Sequence, residues 1–323
     1  MKQTPLLEIQ DLSIGLKGDN IEYDIVRNVN FSINPNEILA IVGESGCGKS
    51  LTALSILGLQ ASPPLRITSG SIKFGDRDLT KLSQEELRSV RGAEIAMIFQ
   101  DPMSALDPMF TVGTLLKSAI RAHKKVDDAT AEKISLESLA DAGIEDPRRR
   151  LAEYPFQLSG GVSQRVMIAL ALVNNPKIII ADEPTTALDV TVQAQILERL
   201  KDLKKERGMS IMLITHNLGV VASIADRMAV MYTGEIVEIG SVENVFGKPQ
   251  HPYTNGLLGA VPRLGSGSAE LIPIVGRVPQ PDNLPSGCTF VDRCGRAVEK
   301  CSAQRPELVS QGAVDVRCFN PFK

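Results

Sequence analysis

No apolar run in this 323-residue chain is long enough to cross a bilayer: stretches such as Met167–Val173 fall far short of the roughly 20 residues a spanning helix needs. The opening Met1-Lys2-Gln3-Thr4-Pro5 carries no apolar signal segment. The expected location is therefore the cytosol, with any membrane role reached through partners. Positive charge is not in excess either. With 35 Lys and Arg against 38 Asp and Glu, the net charge is −3, which gives no pull toward nucleic acid. Cysteine is sparse, at five residues, yet four of them lie between Cys288 and Cys318. No internal repeat is visible. The 43% hydrophobic and 23% charged content is that of a globular protein, long enough for one large or two modest domains.

Strand-like alternation at Leu6–Leu12 and Arg27–Ile33 opens the chain. Ile38–Val42 is a short apolar strand, and helical Leu51–Leu59 follows soon after. Ile95–Phe99 is another apolar run. From Val112 to about Val173 the helical period dominates. Val112, Leu115, Leu116, Ala119 and Ile120 share one face, and so do Val162, Val166, Ala169, Leu170 and Val173. Strand patterns return at Ile178–Ala181 and Ile211–Ile214, with a helical face of Val192, Ile196, Leu200 and Leu203 between them. The reading is an α/β core with a mostly parallel sheet and an inserted helical block. Past about residue 240, proline and glycine become frequent, and Gly265-Ser266-Gly267-Ser268 reads as a flexible link.

Between the Ile38–Val42 strand and the next helix stands Gly43-Glu44-Ser45-Gly46-Cys47-Gly48-Lys49-Ser50. It fits the Gly-x4-Gly-Lys-Ser phosphate loop in the strand–helix setting that the motif needs. The glycines let backbone N–H groups converge on phosphates. Lys49 would reach the β and γ oxygens, and Ser50 would hold Mg²⁺. Cys47 reads as a small filler residue.

Ile178–Glu183 is an apolar strand ending in two acids. Asp182 is placed to orient Mg²⁺ through water, and Glu183 is the candidate general base for the attacking water. His216 follows the Met212–Thr215 strand and is a candidate γ-phosphate contact. Gln100 closes the Ile95–Phe99 strand. Leu158-Ser159-Gly160-Gly161-Val162-Ser163-Gln164 can offer backbone N–H groups, a hydroxyl and a helix start to a phosphate. With two phosphate half-sites in one chain, the expectation is a molecule that closes around ATP with a partner.

In this order the motifs resemble the ATP-binding subunit of an ABC transporter over about residues 6–240: the phosphate loop, Gln100, Leu158–Gln164, Ile178–Glu183, the D-loop Thr186-Ala187-Leu188-Asp189 and His216. The resemblance implies a P-loop NTPase core at 1–240, with a helical subdomain at about 101–175 and an extension at 241–323. It implies a head-to-tail ATPase dimer. Gly43 to Ser50, Leu51 and Tyr23 would contact one ATP, and Ser159, Gly160, Gly161 and Gln164 the partner's. Ser50, Gln100 and Asp182 would serve Mg²⁺, and Glu183, His216 and Gln100 the hydrolysis. Gln100 would also couple to the membrane subunits.

Phe99–Pro108 is similar to the extended Q-loop of dipeptide and oligopeptide importers, and His251-Pro252-Tyr253-Thr254 with Leu257–Pro262 to their tail. That subfamily implies import of short peptides, driven from the cytoplasmic face of the membrane. Its partners would be two permease subunits, a related but non-identical ATPase and, indirectly, an extracytoplasmic peptide-binding protein. A nickel or other small-solute importer is the alternative. A DNA- or ribosome-directed ABC ATPase fits less well, because the chain has neither a long coiled coil nor a second ATPase domain. A non-hydrolysing member of an asymmetric pair is opposed by Glu183 and His216. Two departures stand out. Leu16 occupies the place of the usual adenine-stacking aromatic, leaving Tyr23 as the nearest, and Asn217 follows the His where Asp is common.

Cys288, Cys294, Cys301 and Cys318 could hold Zn²⁺ or an iron–sulfur cluster, and their spacing alone leaves both open. Resemblance to the C-terminal motif of peptide-importer ATPases points to [4Fe-4S]. The expected role is a structural clip for a loop-rich tail with a small core of its own.

Overall fold

The computed structural model describes residues 4–17, 22–186, 188–260 and 273–323. Ala187 of the D-loop, Val261 and Pro262 of the tail motif and the Gly265–Ser268 link lie outside the described residues. In chain order the strands are β1 (Leu7–Lys17), β2 (Glu22–Ile33), β3 (Ile38–Val42), β4 (Leu65–Phe74), β5 (Arg77–Asp78), β6 (Ile95–Ile98), β7 (Ile178–Asp182), β8 (Ser210–Ile214), β9 (Arg227–Tyr232), β10 (Glu235–Ser241), β11 (Val309–Gln311) and β12 (Val314–Val316). The chain forms two compact units. One comprises 1–34, 38–81 and 215–323, the other 35–37 and 82–214.

In the first unit, β2, β1, β4 and β5 make an antiparallel sheet in that order. The strand β4 escapes a periodicity reading. Its sequence Leu-Arg-Ile-Thr-Ser-Gly-Ser-Ile-Lys-Phe buries only Ile72 and Phe74, both past the interruption at Gly70, so its buried face is too short to mark it. The same unit holds a run ordered β11-β12-β10-β9-β3, with β3 parallel to β9 and the rest antiparallel. Every residue of β3 is buried, as expected of a parallel strand covered on both faces. The hairpin β9–β10 turns at Thr233 and Gly234, both at positive φ.

The second unit contains the parallel set β8-β7-β6 and most of the helices. Helices Val112–Arg121, Asp128–Asp141, Pro147–Leu151 and Gly160–Leu172 pack on one another. The first three begin at Thr111, Asp127 and Asp146, whose side chains accept from N–H groups of the first turn, and this fixes where each helix starts. Val112, Leu116 and Ile120 line a buried face, as their spacing requires. Gly160–Leu172 goes further than one face. Met167 and Ile168 are buried as well, so this helix is enclosed on most of its circumference. Among the described residues no helix is long and apolar enough to cross a membrane.

The tail corrects the metal expectation. Among the described residues no group of three or more His, Cys, Asp or Glu side chains is placed to hold a metal ion. The iron–sulfur cluster and its zinc alternative are therefore withdrawn for Cys288, Cys294, Cys301 and Cys318, which are free cysteines. Burial pushes the Cys288 thiol up to about 11 and raises those of Cys294 and Cys318. The supposed need for a clip also disappears. Tyr253, Leu258, Phe290 and Val314 from the tail share one core with Val42, Met228, Val230 and Tyr232, and Cys288 and Cys294 pack against it. The extension is stabilised by apolar residues lying far upstream in the chain, which its own composition does not reveal.

Candidate functional site

The phosphate loop is built on close backbone approaches. Gly43 has φ 153, and a Cβ there would come within 2.1 Å of the Met231 carbonyl oxygen. Gly46 and Gly48 sit at φ 79 and 100, in the region L side chains avoid. Gly48 then starts the helix Lys49–Ile56, which has no side-chain cap. Lys49 is 7% exposed, and its ammonium donates to the carbonyls of Gly43 at 2.8 Å and Glu44 at 2.9 Å. Its flexible stem thus curls around the loop that it belongs to. Ser50 is exposed at the helix start, and Leu51 follows it half-buried. Cys47 is buried, and burial raises its thiol pKa, which agrees with a packing role. Gly43, Glu44, Cys47 and Lys49 are brought together. Tyr23 lies on β2 opposite Leu16, lining a cavity of about 540 Å³ with Glu22, Asp24, Arg66, Ile67 and Thr68.

Contacts from the tail reach this loop, and sequence reasoning missed them. The Glu44 backbone N–H donates to the Tyr253 hydroxyl at 3.0 Å. The Glu44 carboxylate receives both terminal nitrogens of Arg293 at 2.8 and 3.1 Å. Tyr253 lay in a stretch singled out only as a subfamily feature. For Arg293, 249 positions from Glu44, nothing in the local sequence gives a signal.

His216 is exposed two residues beyond β8. Asn217 caps the following helix, its Oδ1 accepting from Gly219 and Val220 N–H. An amide oxygen serves as well as a carboxylate in that job, which accounts for the departure at this position.

In the second unit, β7 carries buried Asp182 to its end. Glu183 follows at φ 46, an uncommon conformation for a side-chain-bearing residue. Its N–H donates to the Ile214 carbonyl at 2.9 Å. Its carboxylate accepts from Gln100 Nε2 at 3.0 Å and from Thr186 Oγ1 at 2.9 Å. Gln100 and Glu183, 83 positions apart, are thereby brought together. Ser159 and Gly160 are exposed at the start of Gly160–Leu172, and Ser159 makes no capping hydrogen bond. Gln164 is buried at 2% exposure, and its Nε2 has no hydrogen-bond partner among the described residues. Leu188 and Asp189 of the D-loop are described. Asp189 caps the helix Val190–Arg207 by accepting from Val192 N–H at 2.9 Å.

A glycine-bent loop holding a lysine, and a strand ending in two acids with a glutamine on the second, define an ATPase of the P-loop class. The ABC transporter family profile matches residues 26–186, and that of the oligopeptide/dipeptide transporter C-terminal region matches 237–301. The dipeptide transport ATP-binding protein DppD of Bacillus subtilis is 48% identical over 315 residues, covering 97% of this chain and 94% of that protein. The oligopeptide transport ATP-binding protein AppD of the same organism is 46% identical, covering 97% and 96%. A dimeric ATP-binding cassette solved in a post-hydrolysis state with ADP and Pi superposes with TM-score 0.66 at 30% identity, covering 73% of this chain and 98% of that one. The chain belongs to the ABC transporter ATP-binding family and carries the C-terminal region of its oligopeptide/dipeptide branch. It has the ABC ATPase fold.

Proposed function

We propose that this chain hydrolyses ATP to power import of dipeptides or oligopeptides through a membrane permease, with Glu183 as the residue that orients the attacking water. The observation that supports this most strongly is the fixing of Glu183. A left-handed backbone and two hydrogen bonds, from Gln100 and Thr186, restrict its carboxylate, and a general base must be held in geometry before its basicity helps. Lys49 takes the β- and γ-phosphate charge, and His216 supports charge as it develops on the γ-phosphate. Ser50, Gln100 and Asp182 are oxygen donors of the kind Mg²⁺ prefers. When bound, Mg²⁺ neutralises phosphate charge. The names of the relatives, a dipeptide and an oligopeptide transport ATP-binding protein, support peptides as cargo.

The partners proposed are two permease subunits and a related, non-identical ATPase, with Ser159, Gly160 and Gly161 facing the partner's ATP and the chain peripheral on the cytoplasmic face. Residues around the extended Q-loop leave apolar side chains in the open: Met103, Met109 and Phe110 are exposed. An apolar surface of that kind suits a permease. Residues 1–240 are read as the ATPase and 241–323 as its extension.

Glu183→Gln tests the reading. The variant is expected to bind ATP with unchanged affinity and to lose at least about a hundredfold in turnover. Near-normal hydrolysis in the purified transporter would remove Glu183 from the mechanism.

A further inference from the structure

We infer that Arg293, reaching in from the C-terminal extension, is a positioning residue for ATP: it holds and neutralises Glu44, and through Glu44 it shapes the phosphate loop. The inference rests on the assignment of Gly43–Ser50 as the loop that binds ATP.

Glu44 is engaged on three sides. Its carboxylate is forked by Arg293 at 2.8 and 3.1 Å, the bidentate geometry that makes such pairs directional. Its N–H is taken by Tyr253, and its carbonyl receives Lys49. Arg293 is fixed in turn. Its side chain is 5% exposed, Nε donates to the Val275 carbonyl at 3.1 Å, and Nη1 also donates to the Tyr232 hydroxyl at 3.3 Å. The guanidinium carbon lies 5.7 Å and 5.8 Å from the ring centres of Tyr232 and Phe290, within cation–π reach. Both rings belong to the core shared with Val42, at the end of the strand that leads into the loop. Glu44 is thus an acid placed in a loop that must accept a polyanion. Unpaired, its charge would repel the phosphates, and its side chain would be free to turn toward them. Arg293 cancels that charge from the side of the extension, leaving Lys49 as the cation for ATP.

The test is a set of variants assayed for MgATP binding and for ATPase activity in the assembled transporter. Arg293→Ala is expected to raise both Kd and KM for ATP about tenfold while kcat stays within about twofold. Arg293→Lys keeps a charge without the fork and should fall between. The deciding variant is Glu44→Gln combined with Arg293→Ala. If the harm comes from a bare carboxylate, removing its charge restores KM to within about twofold of wild type. A merely structural arginine predicts a double variant no better than Arg293→Ala, and that result overturns the inference, as does an unchanged KM in Arg293→Ala. Should Arg293→Ala not fold, the same comparison is made with Arg293→Lys and its Glu44→Gln double. Lys49→Ala separates the two readings. If it loses ATP while Arg293→Ala does not, the loop assignment stands and the inference fails. If it binds ATP as wild type does, the loop assignment itself fails.

Discussion

His251 is 1% exposed, and burial holds its pKa down at about 3, with a hydrogen bond to the Arg317 backbone acting the other way. Its neutral Nδ1 accepts from Tyr253 N–H at 3.0 Å, so the ring caps the helix whose tyrosine reaches Glu44. In the unfolded chain the same ring protonates below 6.5. Between 6.5 and about 3 the unfolded state therefore holds a proton that the fold lacks, and stability falls as pH drops, by about 1.4 kcal/mol per pH unit. Glu238 accepts from His251 N–H at 2.9 Å and has a raised pKa, mainly from burial. Its sign is opposite, since the fold keeps a proton that the unfolded chain releases, so it offsets part of the slope above its unfolded value. His251→Asn keeps a capping acceptor and removes the titration. Melting temperatures measured from pH 7 to pH 4 should fall less steeply for this variant, and parallel curves would exclude His251 as the source. At this scale the sequence shows which residues can do chemistry but not what holds them. Lys49, Glu183 and His216 stand in local motifs. The partners Gln100 for Glu183 and Arg293 for Glu44 are joined only by folding, across 83 and 249 positions.

Helix Val190–Arg207 shows how much of an element is set at its ends. Asp189 accepts from Val192 N–H, and Gly208 at φ 63 closes the other terminus, the asymmetry expected of a capped helix. Asp189→Ala should cost about 1 kcal/mol in denaturant unfolding, whereas Asp189→Asn, which keeps the acceptor, should cost a few tenths. Equal losses in the two variants would assign the effect to charge at the helix dipole instead. Because Asp189 is also a D-loop residue, an ATPase defect in the stable Asn variant would report on that second role alone. Elements with strong periodicity were legible: β3, β7, β8 and the helical face Val112–Leu116–Ile120. The strand β4 was not, because only Ile72 and Phe74 of it are buried, both past the break at Gly70. The tail was misjudged for a related reason. Its own apolar residues are few, but Tyr253 and Phe290 enter a core made by β3, β9 and β10.

At the scale of the whole molecule, the helix Gly160–Leu172 tests whether ATP is shared between subunits. Gly160–Leu172 is a 13-residue helix whose N-cap, Ser159, leaves the first-turn N–H groups without a side-chain cap, and Ser159 and Gly160 are exposed. Aligned peptide dipoles make such a start attractive to phosphate, while Gly160, with no atom closer than 3.9 Å to where a Cβ would sit, leaves room for close approach. If these groups meet an ATP carried by the partner, nucleotide should bring two ATPase subunits together, and blocking hydrolysis should trap them. Glu183→Gln, purified alone and with the related ATPase proposed as its partner, is expected to shift to a two-subunit complex on adding MgATP, as read by light scattering. Adding Ser159→Arg places a bulky cation where the γ-phosphate would arrive. That double variant should still bind ATP through its own phosphate loop with unchanged affinity, yet stay monomeric. A double variant that dimerises as readily as Glu183→Gln would mean that the Ser159–Gly161 turn does not grip nucleotide, and the head-to-tail arrangement would have to be abandoned.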